Sequence, residues 1–123
     1  MIQSKDISFA LGAEIFGIDL ARPLVPNLVQ EIHQIFLDRL VLVFRNQILT
    51  PKQQVRFARY FGSVVPYPFL KGLECCPEVL EVITQPEDGV NFGGGWHTDT
   101  PYLEIPSLGS VLYAKELPPV GGD

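Results

Sequence analysis

Five consecutive apolar residues, Leu40-Val41-Leu42-Val43-Phe44, follow directly on a helical repeat and end at Arg45-Asn46-Gln47. An apolar run of this length, with no polar alternation, reads as a strand buried on both faces. Upstream, Asn27 is placed to cap a helix whose Leu28, Ile32, Ile35 and Phe36 recur on one face at helical spacing. Downstream, Thr50, Pro51 and Gln53 form a helix start: a capping hydroxyl, a proline at the first helical position, and a glutamine three residues after the cap. This second helix is predicted to run to Arg59 or Tyr60 and to stop before Gly62.

The remaining segments are shorter. Residues 12–20 read as a short strand closing on a turn. The stretch 64–72, with Pro66 and Pro68, reads as an irregular loop, Val79 to Ile83 as a strand, and 85–95 as a glycine-bearing loop. Leu108 to Ala114 is a further strand-like run before the turn Pro118-Pro119-Val120-Gly121-Gly122. No internal repeat is present. The chain ends in that turn rather than in a helix or a polar tail, so residues 1–123 are expected to be the amino-terminal part of a single larger domain. Early alternation of strands and helices, giving way to strands and loops, predicts a mixed α+β architecture.

A chain of 123 residues fits one modest domain, able to bury roughly two-thirds of its unfolded surface. Hydrophobic content of 46% with 19% charged residues suits a packed protein rather than a disordered one. The net charge is −5 and the nine Lys and Arg are scattered, which argues against nucleic acid as a partner. The longest apolar stretch, 35–44, is interrupted by Asp38 and Arg39 and is too short to span a bilayer. The first twenty residues carry Asp6, Glu14 and Asp19 and lack a signal-peptide core, so a cytoplasmic setting without membrane association is expected. Cys75 and Cys76 are adjacent; a bridge between neighbours is strained, and two free thiols are expected.

The chemistry concentrates in Phe92-Gly93-Gly94-Gly95-Trp96-His97-Thr98-Asp99-Thr100-Pro101-Tyr102. In extended backbone, side chains two apart point to the same face, so His97 and Asp99 can bring an imidazole nitrogen and a carboxylate oxygen to one point. A neutral nitrogen with a hard anionic oxygen suits a divalent iron that keeps open positions, as in the two-His, one-carboxylate facial triad. The preceding glycines free the backbone to bend and to approach a ligand closely. Spacing alone is weak evidence, since a His-x-Asp arises by chance in roughly one such chain in ten. On spacing alone, a surface turn in which Asp99 accepts backbone hydrogen bonds is favoured.

The run Trp96-His97-Thr98-Asp99, followed by Leu112-Tyr113-Ala114-Lys115-Glu116-Leu117-Pro118 and Gly121-Gly122-Asp123, resembles the taurine dioxygenase (TauD/TfdA) family. Earlier segments agree in family order: Gly12-Ala13-Glu14 with Gly17, Asp19 and Leu20; Leu42-Val43-Phe44-Arg45; Thr50-Pro51 with Gln54; and Phe61-Gly62. The resemblance extends from about Leu11 to Asp123.

It implies a double-stranded β-helix (jelly roll) with flanking helices, incomplete in this chain, and an iron(II)- and 2-oxoglutarate-dependent dioxygenase. Such an enzyme uses O2 to decarboxylate 2-oxoglutarate to succinate while hydroxylating a small, anionic or zwitterionic metabolite. His97 and Asp99 would be metal ligands and catalytic. The distal histidine ligand and the arginine that grips 2-oxoglutarate would lie beyond residue 123, leaving this chain inactive by itself. Tyr67, Asn91, Thr100 and Tyr102 are candidates to line the substrate pocket, and Trp96 is expected to pack beneath the metal. His33 lies outside any family motif and reads as a helix-boundary residue. Two departures separate the chain from taurine-specific members: the loop 64–70 has no histidine, and Gly93 stands where an asparagine is expected. A homo-oligomer is compatible with this reading. Two other readings are a degenerate β-helix domain that binds without catalysis, and a zinc hydrolase using the same pair. Zinc sites usually draw on more His or Cys than this chain offers.

Overall fold

The structure is a computed structural model and describes residues 1–89 and 93–121. Its ordered framework lies in the first half: strand β1 (Gln3–Asp6), strand β2 (Ala13–Phe16), helix α1 (Pro26–Arg39), strand β3 (Leu42–Phe44) and helix α2 (Pro51–Ala58). The sheet order is β1-β2-β3. β1 runs antiparallel to β2, pairing Gln3 with Phe16 and Asp6 with Ala13. β2 and β3 run parallel, pairing Ala13 with Leu42 and Ile15 with Phe44, with α1 as the crossover that a parallel pair requires.

β2 shows a period of two: Ala13 and Ile15 are buried, whereas Phe16 is exposed. β1, the tetrapeptide QSKD, is exposed throughout and has no apolar alternation, so it forms by pairing with β2 rather than by burial. The Arg39 guanidinium reaches the Asp6 carboxylate and secures its far end.

Helix α1 buries Ile32 completely and half-buries Leu28, Ile35 and Phe36, the face expected from spacing. Its start differs from expectation. Val25 is the N-cap, Pro26 occupies the first helical position, and Asn27 lies inside the helix with no side-chain cap bond at the terminus. Proline's fixed φ favours that position, and the missing N–H has no partner to lose there.

The apolar run after α1 also departs from expectation. Leu40 is the helix C-cap, left-handed at φ 65°, and donates its N–H to Phe36 O at 2.7 Å. It is 64% exposed, and Val41 is exposed as well. The strand is therefore only Leu42–Phe44, half-buried rather than buried on both faces. Turning the chain from helix to strand consumes the first two apolar residues.

Helix α2 starts as predicted. Gln53 N–H donates to Thr50 Oγ1 at 3.3 Å, and Thr50 N–H donates to Gln53 Oε1 at 2.7 Å, a complete capping box. The helix ends at Ala58 with Arg59 as C-cap, a residue or two short of the predicted end. It buries Val55 and Phe57. Phe57 joins Leu20 and Leu49 in the core, against which Ile18, Leu24, Phe44, Phe61 and Tyr113 pack. Edge-on aromatic contacts run through this core, Phe44 to Phe57 at 5.5 Å and Phe57 to Phe61 at 5.3 Å. His33 is exposed on α1 and stacks edge-on against Phe61, as a boundary residue would.

One glutamine organises the polar side of this core. The Gln47 amide accepts from Leu20 N–H and donates to the carbonyls of Ile18 and Arg45. The Tyr113 hydroxyl donates to Gln47 O at 3.2 Å and accepts from Leu49 N–H at 3.2 Å, while the Gln54 side chain donates to Val111 O at 2.9 Å. These bonds moor residues 111–113 to the framework.

Among the described residues, neither 79–83 nor 108–114 forms a strand, contrary to expectation. A strand needs a ladder partner, and neither run finds one among the described residues. Residues 72–79 instead form a tight turn in which Leu73 N–H donates to Val79 O and Val79 N–H to Cys76 O, each at 2.9 Å. Gly72 is required there, because a Cβ would sit 2.1 Å from Pro77 O. The Arg59–Glu78 ion pair at 3.0 Å attaches this turn to the end of α2. Both cysteines are free thiols, Cys75 exposed and Cys76 buried. Among the described residues, no helix is long and apolar enough to cross a membrane.

Candidate functional site

Residues 93–100 carry the site without regular secondary structure. Gly93 has φ 73°, and a Cβ there would meet His97 Cε1 at 3.5 Å, so the backbone turns back toward the imidazole through a left-handed residue. The next turn is formed by Thr100, also left-handed at φ 48°, whose carbonyl accepts from Leu103 N–H at 3.2 Å. His97 lies between these two left-handed residues, and Asp99 enters the bend that Thr100 completes.

Their side chains face one another. His97 Nε2 lies 3.1 Å from Asp99 Oδ1. The other ring nitrogen, Nδ1, lies 2.6 Å from Gly95 O. A carbonyl only accepts, so the proton belongs on Nδ1, and Nε2 of the neutral ring carries a lone pair. A lone pair and an anionic oxygen at 3.1 Å repel unless a cation is shared between them or the ring is protonated. Two ligand atoms each about 2.1 Å from one metal and at right angles are separated by about 3 Å. The pair thus fits a divalent metal, with Gly95 O in the outer-shell role that fixes tautomer and ring orientation. Both side chains are more than half exposed. Among the described residues, no group of three or more His, Cys, Asp or Glu side chains converges, and His97 and Asp99 meet as a pair.

Trp96 departs from expectation. It is fully exposed and packs beneath nothing; with Gly94, Gly95 and His97 it borders a shallow concavity. None of the described residues covers the ring.

The structure brings some of the predicted pocket residues together. Tyr67 and Tyr102 flank Phe69, with ring centroids 5.8 Å apart on each side. Burial raises the pKa of the Tyr102 phenol, with the neighbouring Tyr67 hydroxyl adding to it. The Thr100 hydroxyl is engaged locally, accepting from Ser107 N–H at 3.3 Å and bonding Ser107 Oγ at 3.2 Å, which closes the loop 100–107. Asn91 lies outside the described residues. Sequence reasoning passed over Phe69 and the Gly95 carbonyl: an aromatic beside prolines has no periodicity to mark it, and a backbone acceptor leaves no trace in residue type.

Residues 3–123 match the Taurine catabolism dioxygenase TauD, TfdA family, and the chain belongs to that family. It is 33% identical to an alkylsulfatase of Acinetobacter baylyi, over 99% of this chain and 38% of that protein. It is also 33% identical to the alpha-ketoglutarate-dependent 2,4-dichlorophenoxyacetate dioxygenase of Cupriavidus pinatubonensis, over 94% of this chain and 45% of that one. A crystal structure assigned as an alpha-ketoglutarate-dependent taurine dioxygenase from Burkholderia xenovorans superposes with a TM-score of 0.70 at 33% identity, covering 86% of this chain and 37% of its own. The chain spans about two-fifths of the length of these relatives.

Proposed function

We propose that His97 and Asp99 are one arm of a mononuclear iron(II) centre in a 2-oxoglutarate-dependent dioxygenase that hydroxylates a small anionic metabolite. The observation that carries this reading is the 3.1 Å approach of His97 Nε2 to Asp99 Oδ1 with Nδ1 committed to Gly95 O. When bound, iron supplies the oxidising chemistry, drawing on O2 and on decarboxylation of 2-oxoglutarate to succinate. The chain's own contribution is to orient. Gly95 O holds the imidazole with its lone pair outward, Asp99 provides compensating negative charge, and Gly93 and Thr100 bend the backbone so that the two donors meet.

The fold reading follows the same lines. Runs 79–83 and 108–114 would be strands of a double-stranded β-helix whose ladder partners, third ligand and 2-oxoglutarate-binding cation come from outside residues 1–123. The anionic substrate class is supported by relatives named for a sulfate ester, 2,4-dichlorophenoxyacetate and taurine, each bearing an acidic group. In the full-length protein, succinate formation from 2-oxoglutarate is expected only with ferrous iron. His97→Ala should abolish it, and sustained succinate production by that variant would overturn the assignment.

A further inference from the structure

Thr100 follows the His97–Asp99 pair directly and holds a conformation that its own chemistry opposes. Its φ of 48° is left-handed, a region that glycine enters freely and branched side chains avoid. Pro101 comes next, and the residue before a proline is driven toward extended backbone. A threonine so placed keeps this φ only where its surroundings fix it. Three hydrogen bonds do so. The Thr100 carbonyl accepts from Leu103 N–H at 3.2 Å, across a turn with Pro101 at its favoured second position. The Thr100 hydroxyl accepts from Ser107 N–H at 3.3 Å and donates to Ser107 Oγ at 3.2 Å. Pro101 and Pro106 stiffen the two ends of the loop that these bonds close.

That φ sets the direction of the chain before it. Relaxing from 48° to an ordinary value of about −60° would turn the backbone about 110° around the Thr100 N–Cα bond. Everything on the amino side of the bond, His97 and Asp99 included, would swing relative to residues 101–113. Just beyond Ser107 those residues reach the core, where Gln54 donates to Val111 O and the Tyr113 hydroxyl bonds Gln47 and Leu49. The Thr100–Ser107 clip therefore lies on the route by which the framework aims the pair. A glycine at this position would take the bend as freely as Gly93 does, but would carry no hydroxyl to hold it.

We propose that Ser107 is a positioning residue, which by gripping the Thr100 hydroxyl fixes the direction in which His97 and Asp99 are presented to a metal and its remaining ligands. This rests on the site reading above and adds to it a residue that touches neither metal nor substrate. Donors have to be held closely in place by the groups behind them before a metal binds tightly.

The test is the Mn(II) affinity of the full-length protein, read by electron paramagnetic resonance of the free ion, with thermal midpoints measured beside it. Thr100→Val keeps the branched shape but deletes the hydroxyl, and should weaken Mn(II) binding at least about threefold with the midpoint unchanged. Thr100→Ser keeps the hydroxyl and should restore most of the affinity, a rescue that bulk or packing alone would not give. Ser107→Ala removes the oxygen that accepts from Thr100; it should weaken binding too, and decides the matter should the valine variant misfold. Wild-type affinity in both Thr100→Val and Ser107→Ala overturns the proposal, as does a serine variant that binds as weakly as the valine one. His97→Ala separates this proposal from the reading beneath it. A loss of Mn(II) binding in His97→Ala alone leaves the metal site standing without the clip. A wild type that binds no Mn(II), or a His97→Ala variant that binds it undiminished, overturns both.

Discussion

His97 shows how one backbone oxygen decides the chemistry of a side chain. Because Gly95 O accepts from Nδ1–H, the lone pair of the neutral ring falls on Nε2, beside Asp99. Removing either partner should thus affect metal binding before it affects folding, both side chains being largely exposed. His97→Ala and Asp99→Asn are each expected to weaken Mn(II) binding by at least about tenfold, the scale on which even outer-shell partners act, with the thermal midpoint unchanged. Electron paramagnetic resonance of free Mn(II) reads the first quantity and calorimetry the second. The two cysteines offer a second residue-level contrast. Burial raises the pKa of the Cys76 thiol, helped by the neighbouring Cys75 thiol and by Glu78, so folding favours its neutral form. The resulting stabilisation is present at neutral pH and fades as pH climbs through and above the ordinary thiol range. Iodoacetamide in mildly alkaline buffer should accordingly label Cys75 well ahead of Cys76, and peptide mapping would show equal labelling were that wrong.

The elements divide by whether their cause is local. Helix α2 rests on a capping box three residues wide, and Thr50→Ala should cost about 1 kcal/mol in urea unfolding. Leu40 is a side chain forced into a left-handed cap, where a non-glycine residue costs roughly 1–2 kcal/mol, and its 64% exposure means little burial would be lost. Leu40→Gly is therefore expected to stabilise by up to about 1 kcal/mol once the added freedom of the unfolded glycine is subtracted; destabilisation in the same measurement would contradict this. What could be read from the sequence follows the same division. The α2 cap, the inward face of α1, the β2 segment and the irregular loop 64–72 were all legible, because each is encoded within one turn or one alternation of the chain. β1 was invisible, since QSKD has no apolar signature and exists as a strand only through its partner. Asn27 looked like a cap until Pro26 claimed the first helical position. The runs 79–83 and 108–114 have strand composition, but composition cannot provide a neighbour. At the site, residue type and spacing alone favoured a plain turn, and it was the resemblance of the surrounding run that marked His97 and Asp99, whereas the meeting of Tyr67, Phe69 and Tyr102 across more than thirty residues of chain was not marked at all.

At the scale of the molecule, the framework of residues 1–61 and the site-bearing second half differ in how their backbones are satisfied. Helices and ladders account for the first; scattered turns serve the second. Hydrogen exchange should report this directly, with slow amides in β2, α1, β3 and α2 and rapid exchange through 79–89 and 93–110. Uniform protection along the chain would refute that division. Tyr113→Phe deletes the hydroxyl that serves both Leu49 N–H and Gln47 O, and is expected to cost about 1–2 kcal/mol and to speed exchange at Leu49. Residues 79–89 and 93–110 lie in the chain between two anchors, the Arg59–Glu78 pair and the Val111–Tyr113 contacts. Doubling the length of a flexible connection costs only about 0.6 kcal/mol of closure entropy. Nature, or an engineer, can therefore splice new residues into the stretch around His97 and Asp99 while the foundations on either bank stay as they are.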